Sequence, residues 1–284
     1  METNNIAQIE NVYHIVLCFC VRNCAEHLPN IFKNINRLTE INNYKISCIF
    51  AYDNCTDDSE KLLNEYKISS KHDVYLKHID NASHLRTVRI ANARNACLDV
   101  LYNELENVSY HIMADCDDVN VHAWNIETIN KYITNHDNDN WDCISFNRPF
   151  YYDIWALLID DFKHHCWGFG MRSRTVLNAM RSYITNKLND STENSVYCMS
   201  AFNGFAIYKT EKFKDIRYDG TYNNMKSLIT DAERENTIEI LKNNYNVRRV
   251  SINPHKRDCC EHIFYHLSAA NKNKCIIKIS KLSI

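Results

Sequence analysis

The chain is poor in the two residues that most often punctuate a fold, with four glycines and three prolines in 284 residues. It carries no Gly/Ser- or Pro-rich linker, no low-complexity tract and no internal repeat, so nothing marks a domain boundary. It also lacks an excess of charge. Thirty-three Lys and Arg against 35 Asp and Glu leave a net charge of −2, without the polybasic surface that binding nucleic acid or anionic lipid requires. No segment approaches the ~20 apolar residues of a membrane span; the best run, Ile15–Val21, is far too short. The opening METNNIAQIENVYH has no basic stretch followed by an apolar core, so it does not read as a secretory signal. The 13 cysteines form no C-x-x-C pair, and Cys18, Cys20, Cys48 and Cys143 fall inside apparent core strands. Scattered and odd in number, they read as free thiols in a reducing compartment. The expectation is a cytosolic or cytosol-facing protein. The abundance of Asn, Ile, Lys and Tyr, whose codons are AT-rich, suits an AT-rich genome such as a virus carries.

What is present is an ordinary globular composition, 45% hydrophobic and 24% charged. The length suits one large domain or two small ones. His14–Val21 is a continuous apolar run of strand length, as in a strand covered on both faces. Leu28, Ile31, Phe32, Ile35 and Leu38 then recur at helical spacing. Lys45–Tyr52 reads as a second buried strand. It ends in an Asp/Asn/Thr/Ser cluster that suits the start of a helix bearing Leu62, Leu63 and Tyr66. Asp73–His78 reads as a third strand and Arg86–Leu105 as a helix. The strand bearing the carboxylates follows, within residues 108–120. This β-α-β-α-β-α-β order predicts an α/β fold with a mostly parallel sheet and helices on both faces. Further on, Trp124–Thr134 and Asp231–Asn243 read as helices, and Trp141–Asn147 and Val247–Ile252 as strands. Tyr197–Tyr208 reads as strand-turn-strand around Asn203-Gly204. Arg148–Trp167 is aromatic-rich and has no clear period.

The apolar run VSYHIMADCDDVN breaks into Asp115-Cys116-Asp117-Asp118. Alternate strand residues face the same side, so the carboxylates of Asp115 and Asp117 can converge where the strand ends. Two hard oxygen ligands at that spacing suit a divalent cation, which in turn can hold a diphosphate. The same spacing also occurs in solvated loops. Asp53 ends another strand, where it can bond a base or ribose or simply turn the chain. Ligands of open α/β sheets collect at these carboxyl ends, so the coincidence of Asp53 and Asp115 carries more than either alone. Arg86, Arg89 and Arg94 follow on one helix. Each can grip a phosphate bidentately or stand as a solvated charge.

Taken in order, IVLCFCVRNCAEHLP, CIFAYDNCTDDS, RTVRIANARNACL and HIMADCDDVN resemble the nucleotide-binding half of GT-A-fold glycosyltransferases, whose sheet is Rossmann-like. The resemblance runs over about residues 12–270. It implies a nucleotide-sugar-binding half over about 12–120 and an acceptor-side half, with a smaller mixed region, over about 121–284, together a single domain. It implies that Cys20 and Arg22, at the end of the first strand, embrace the nucleotide, and that Asp53 contacts base or ribose. Arg89 and Arg94 fall to the donor as well. Asp115 and Asp117 would chelate Mn2+ or Mg2+ bridging the donor diphosphate. Ser200–Tyr208 is similar to the F-G-G-hydrophobic loop between donor and acceptor, with Asn203 replacing its first glycine and Gly204 kept. Asn tolerates positive φ better than most residues. Cys260-Glu261-His262 to His266 is similar to a C-E-H…H segment of a mannosyltransferase-like subset.

Read as a helix, that last segment puts His262 and His266 on one face. Imidazole completes Mn2+-type sites whose other ligands are carboxylates. His262 is the expected metal ligand, with His266 as alternate. Glu261 can take the proton of an acceptor hydroxyl or pair with Lys256 or Arg257. Phe150 to Trp155, with His164, His165 and Trp167, can line an acceptor site through aromatic faces, with Asp153 holding hydroxyls, or can be plain core.

The expectation is therefore a metal-dependent hexosyl- or deoxyhexosyltransferase with Asp117 and Glu261 as catalytic residues. It would move a sugar from a UDP- or GDP-sugar to a hydroxyl of a glycan or glycoconjugate, with no nucleic-acid partner. The sequence leaves open the stereochemical course and the oligomeric state. One rival is a sugar nucleotidyltransferase, disfavoured because Arg22–Asn30 holds no glycine to wrap a triphosphate. The other is a non-catalytic carbohydrate-binding protein on a degenerate GT-A fold.

Overall fold

The computed structural model describes residues 13–41, 44–134, 139–160, 162–163, 174–245 and 257–284. Eight strands form one sheet in the order β3-β2-β1-β4-β7-β5-β8-β6. The first four are Tyr13–Val21 (β1), Tyr44–Tyr52 (β2), Asp73–His78 (β3) and Tyr110–Asp115 (β4). They run parallel to one another, as the βα alternation predicts. The other half is mixed. Phe205–Lys209 (β7) runs antiparallel between β4 and Cys143–Asn147 (β5). Ile277–Ser283 (β8) is parallel to β5, and Ser195–Cys198 (β6) closes the edge antiparallel to β8.

Side-chain alternation along β1 explains the two cores. Ile15, Leu17 and Phe19 point to one face, into a cluster with Leu28, Ile31, Ile35 and Leu38 of helix α1, Leu28–Leu38. Val16 and Cys18 point to the other face, against Ala91, Ala93, Cys97 and Leu101 of helix α3, Arg86–Glu104. All five β1 side chains are fully buried, which is why the strand reads as unbroken hydrophobicity rather than alternation. Helix α2, Ser59–Ser69, joins the α1 face through Leu63 and Tyr66. Burying one such aliphatic side chain contributes roughly 1.5–3 kcal/mol.

The chain moves outward from β1 through β2 to β3, then returns across the opposite face through α3 to β4 on the other side of β1. Connections leave β1 and β4 in opposite directions, so a crevice opens at their carboxyl ends. Cys20 of β1 and Asp115 of β4 stand in register at that point.

Helix α4, Ile126–Thr134, begins two residues later than expected. Helices Arg174–Asp190 (α5), Tyr222–Lys226 (α6), Asp231–Tyr245 (α7) and Glu261–Asn273 (α8) complete the described α-helices. The expected strand-turn-strand over Tyr197–Tyr208 needs correction. The turn and both strands exist, but β6 and β7 lie on either side of β5 and β8 and do not pair. The expected strand Val247–Ile252 lies outside the described residues. No described helix is long and apolar enough to cross a membrane. Cysteines such as Cys18, Cys48, Cys97 and Cys260 are buried and unbridged.

Candidate functional site

A cleft of about 420 Å³ opens at the crevice between β1 and β4. Cys20 and Arg22 reach it from β1, Asp53 from β2, and Asp115 and Asp117 from β4. Arg86, Arg89 and Arg94 line it from α3, and Glu261 and His262 from the first turn of α8. Residues from five separate segments of sequence thus meet in one concavity, among them nearly every residue singled out above.

Arg94 is the centre of the arrangement. It is 3% exposed. Its Nε donates to Glu261 Oε1 at 3.0 Å and its Nη2 to Asp115 Oδ1 at 3.0 Å. The guanidinium also lies 4.7 Å from the centre of the Phe202 ring, a cation–π contact. Its Nη1 is buried with no partner. Glu261 thus pairs with a helix residue 167 positions earlier rather than with Arg257, and Lys256 lies outside the described residues.

The loop carrying the carboxylates is tied from behind. The backbone N–H of Asp115 donates to Gly204 O at 3.0 Å. Asn120 Nδ2 donates to both Asp115 O and Gly204 O at 2.8 Å. Arg148 donates to Val119 O at 2.6 Å, Asn120 Oδ1 at 2.7 Å and Asn203 O at 3.0 Å. Gly204 has φ +84°, and a Cβ there would stand 2.6 Å from Tyr152 Oη and 2.8 Å from Val119 Cγ2. Gly204 thus underlies Asp115 and is not itself among the cleft-lining residues. Asn203 takes φ 54°, as expected of an Asn at a left-handed position. Its Nδ2 donates to Phe146 O at 2.9 Å.

The acidic groups repel one another. Partial loss of water beside the cleft, then Asp115, raises the carboxyl of the exposed Asp117 to about 6. Burial, then Asp115 and Glu261, raises Asp153 to about 7. Asp53 is 7% exposed, and Arg22 Nε lies 3.4 Å from its Oδ1.

The donor set suits a hard divalent cation at Asp115 and Asp117, whose mutual repulsion a cation would relieve. The expected third ligand is not gathered there: no group of three His, Cys, Asp or Glu side chains among the described residues is placed to hold a metal. His262 stacks on Phe202 with ring centres 3.7 Å apart, beside Arg94. His266 lies deeper. Its Nδ1 is 3.0 Å from Ser200 Oγ and its Nε2 3.1 Å from Tyr208 Oη, so both nitrogens are engaged within the core. Arg89 lines the cleft while its Nη1 donates to Ser83 O at 2.9 Å. Of the aromatic segment, Tyr152, Asp153 and Trp155 line the cleft, Phe150 is 63% exposed, and Tyr151 is core. His164, His165 and Trp167 lie outside the described residues. The part of Asn120 in holding the carboxylate loop was not read from the sequence, nor was Arg148, which only the tertiary fold brings to that loop; Phe202 belongs to the Ser200–Tyr208 loop already singled out.

No protein-family model and no curated protein sequence matches the chain. Among solved structures it is similar to S. aureus TarS 1–349, with 14% identity and a TM-score of 0.40, covering 87% of this chain and 59% of that one. TarS 1–349 in complex with UDP-GlcNAc gives a TM-score of 0.41 at 14% identity, covering 73% and 48%. M. tuberculosis glucosyl-3-phosphoglycerate synthase in complex with Mn2+, UDP-glucose and glycerol 3-phosphate gives 0.37 at 10% identity, covering 72% and 59%. The chain spans about 59% of the length of the TarS 1–349 structure it matches. At these scores the likeness is confined to the general course of the chain.

Proposed function

We propose that the chain is a glycosyltransferase with a single GT-A domain, its donor half over about 12–120 and its acceptor half over about 121–284. The donor is a nucleoside-diphosphate sugar, UDP- or GDP-linked, and the acceptor is a hydroxyl of a glycan or glycoconjugate. The observation that carries this reading is the buried Arg94, which joins Asp115 and Glu261 at the switch point of the sheet. An acidic cleft with one buried guanidinium and three further arginines lining it suits a ligand that is anionic at one end and rich in hydroxyls at the other.

Each residue then has a task. Arg22 and Asp53 hold the nucleoside end, with Cys20 against it. Arg89 and Arg94 face the diphosphate. Asp115 and Asp117 would hold Mn2+ or Mg2+, which supplies positive charge against a leaving diphosphate. Phe202 and His262 form a stacked wall beside the sugar. Glu261 keeps Arg94 oriented through their ion pair.

A thermal-shift screen of UDP- and GDP-sugars with Mn2+ tests the reading. The cognate donor at about 100 times its Kd should add roughly 2.7 kcal/mol of stability, and Asp115→Asn should abolish that gain with the fold intact. A donor gain undiminished in Asp115→Asn, or no gain from any donor, would count against it. Pyrophosphate release from a nucleoside triphosphate and a sugar phosphate would point instead to a nucleotidyltransferase.

A further inference from the structure

The loop after β5 brings another carboxylate into the cleft. Asp153 lines it. Its Oδ2 accepts the backbone N–H of Asn203 at 3.2 Å and its Oδ1 that of Ala156 at 3.2 Å. Asn203 returns the contact, its Oδ1 accepting the backbone N–H of Asp153 at 3.3 Å. The carboxylate is thereby fixed to the turn whose Gly204 carbonyl holds the backbone of Asp115. Its hydrogen-bond partners are neutral backbone groups, not cations.

Glu261 differs in this respect. Its Oε1 is engaged by Arg94 at 3.0 Å, so a proton arriving there would cost a buried ion pair. A second observation points to a ligand in the same place. His262 lines the cleft, is 1% exposed, and has no hydrogen-bond partner at either ring nitrogen, the nearest carboxylate oxygen, Glu261 Oε1, standing 3.8 Å from its Nε2. Buried polar atoms are nearly always satisfied, so a hydroxyl-bearing ligand is the natural partner for this imidazole.

Resting on the glycosyl-transfer reading, we propose that Asp153, rather than Glu261, accepts the proton of the acceptor hydroxyl. The acceptor oxygen forms a bond to the anomeric carbon. The bond from that carbon to the diphosphate oxygen breaks, and its electron pair stays on the diphosphate. The hydroxyl proton passes to the Asp153 carboxylate. A single displacement of this kind inverts the anomeric centre. The charged and titratable groups around Asp153 are Asp115 from β4, Glu261 and Cys260 at the start of α8, and Tyr151 and Tyr152 from its own loop. Burial and the two carboxylates bring Asp153 to about 7, near where a general base works best at neutral pH.

Release of nucleoside diphosphate from UDP-glucose, UDP-N-acetylglucosamine and GDP-mannose with Mn2+ supplies the assay, first with water as acceptor and then with sodium azide. Azide brings no proton, so it needs no base. Asp153→Asn should lose at least about a hundredfold in turnover with water. It should keep Mn2+-dependent UDP binding, and with azide should stay within about twofold of wild type, giving a glycosyl azide of inverted configuration. Wild-type turnover with water, or an equal loss with azide, overturns the proposal and leaves the glycosyl-transfer reading standing. A wild-type chain inert toward every donor, with and without azide, removes both. Should Asp153→Asn fail to fold, Asp153→Glu gives the same comparison. A larger loss with water than with azide supports the assignment, and equal losses overturn it.

Discussion

Arg94 and Glu261 are 167 positions apart, yet Nε of one lies 3.0 Å from Oε1 of the other. Their side chains are 4% and 6% exposed, so neither charge has water to fall back on. The pair fastens the third turn of α3 to the first turn of α8 beneath the cleft floor. Breaking a buried pair by removing one partner costs about 3–5 kcal/mol, because the other charge is left stranded. Arg94→Met should therefore lower the urea midpoint strongly. Pairing it with Glu261→Gln should recover part of that loss. A single variant destabilised by less than about 1 kcal/mol would mean that the pair does not bear on stability.

Gly204 has little room to change. Its φ of +84° and the 2.6 Å that would separate a Cβ from Tyr152 Oη both act against any side chain. Gly204→Ala should cost about 1–2 kcal/mol for the backbone alone, plus whatever displaces Tyr152. Donor turnover should fall with it, because Gly204 O holds Asp115. Asn203→Gly should also destabilise, though less, since it gives up the bond to Phe146 O. A chemical-denaturation series on the two variants checks both signs.

On the proposed reading, Asp117 would tie cation binding to pH. Its carboxyl is raised to about 6, so below that pH a proton competes with the cation. The sign is that Mn2+-dependent nucleotide binding is full above about pH 6 and weakens as pH falls through it. Titrations of UDP with Mn2+ between about pH 5 and pH 8 should show this fall in the wild type. Asp117→Asn should bind weakly throughout with no such step. The same linkage bears on stability. A carboxyl raised in the fold destabilises the folded state as pH rises from its unfolded value near 4 to about 6, so Asp117→Asn should be the more stable protein at neutral pH.

Much of the donor half was legible because its signals are local. The runs His14–Val21 and Lys45–Tyr52 are strands because both faces are covered, and Leu28, Ile31, Ile35 and Leu38 mark α1 by spacing alone. Asp53 and Asp115 stood out because each follows such a run. The rest depends on long-range partners. In Ile277–Ser283, Ile277 and Ile279 alternate with Lys278 and Ser280, a strand signal that gains meaning only once β5 and β6 flank it. Val176, Ala179, Met180, Ile184 and Leu188 carry a helical period over α5 that went unread. His262 and His266 share a helix face as their spacing predicts, but Ser200 and Tyr208 engage one imidazole, and Phe202 covers the other.

Arg148 offers a separate handle on the carboxylate loop. It does not line the cleft, yet it donates to Val119 O, Asn120 Oδ1 and Asn203 O. Those acceptors belong to the two segments that hold Asp115 from behind. Arg148→Ala leaves them unmet, at about 1–3 kcal/mol for each one that stays buried and dry. Arg148→Lys keeps the charge but cannot span three acceptors with one ammonium, because the planar fork is what matches them. If the clamp serves only stability, both variants should lose melting temperature and keep their nucleotide affinity. If it positions the loop, UDP affinity in Mn2+ should fall about tenfold or more in both, corresponding to about 1.4 kcal/mol, with Lys no better than Ala. The placement of its three acceptors beside Asp115 and Asp117 favours the second outcome, and isothermal titration of the folded variants distinguishes the two.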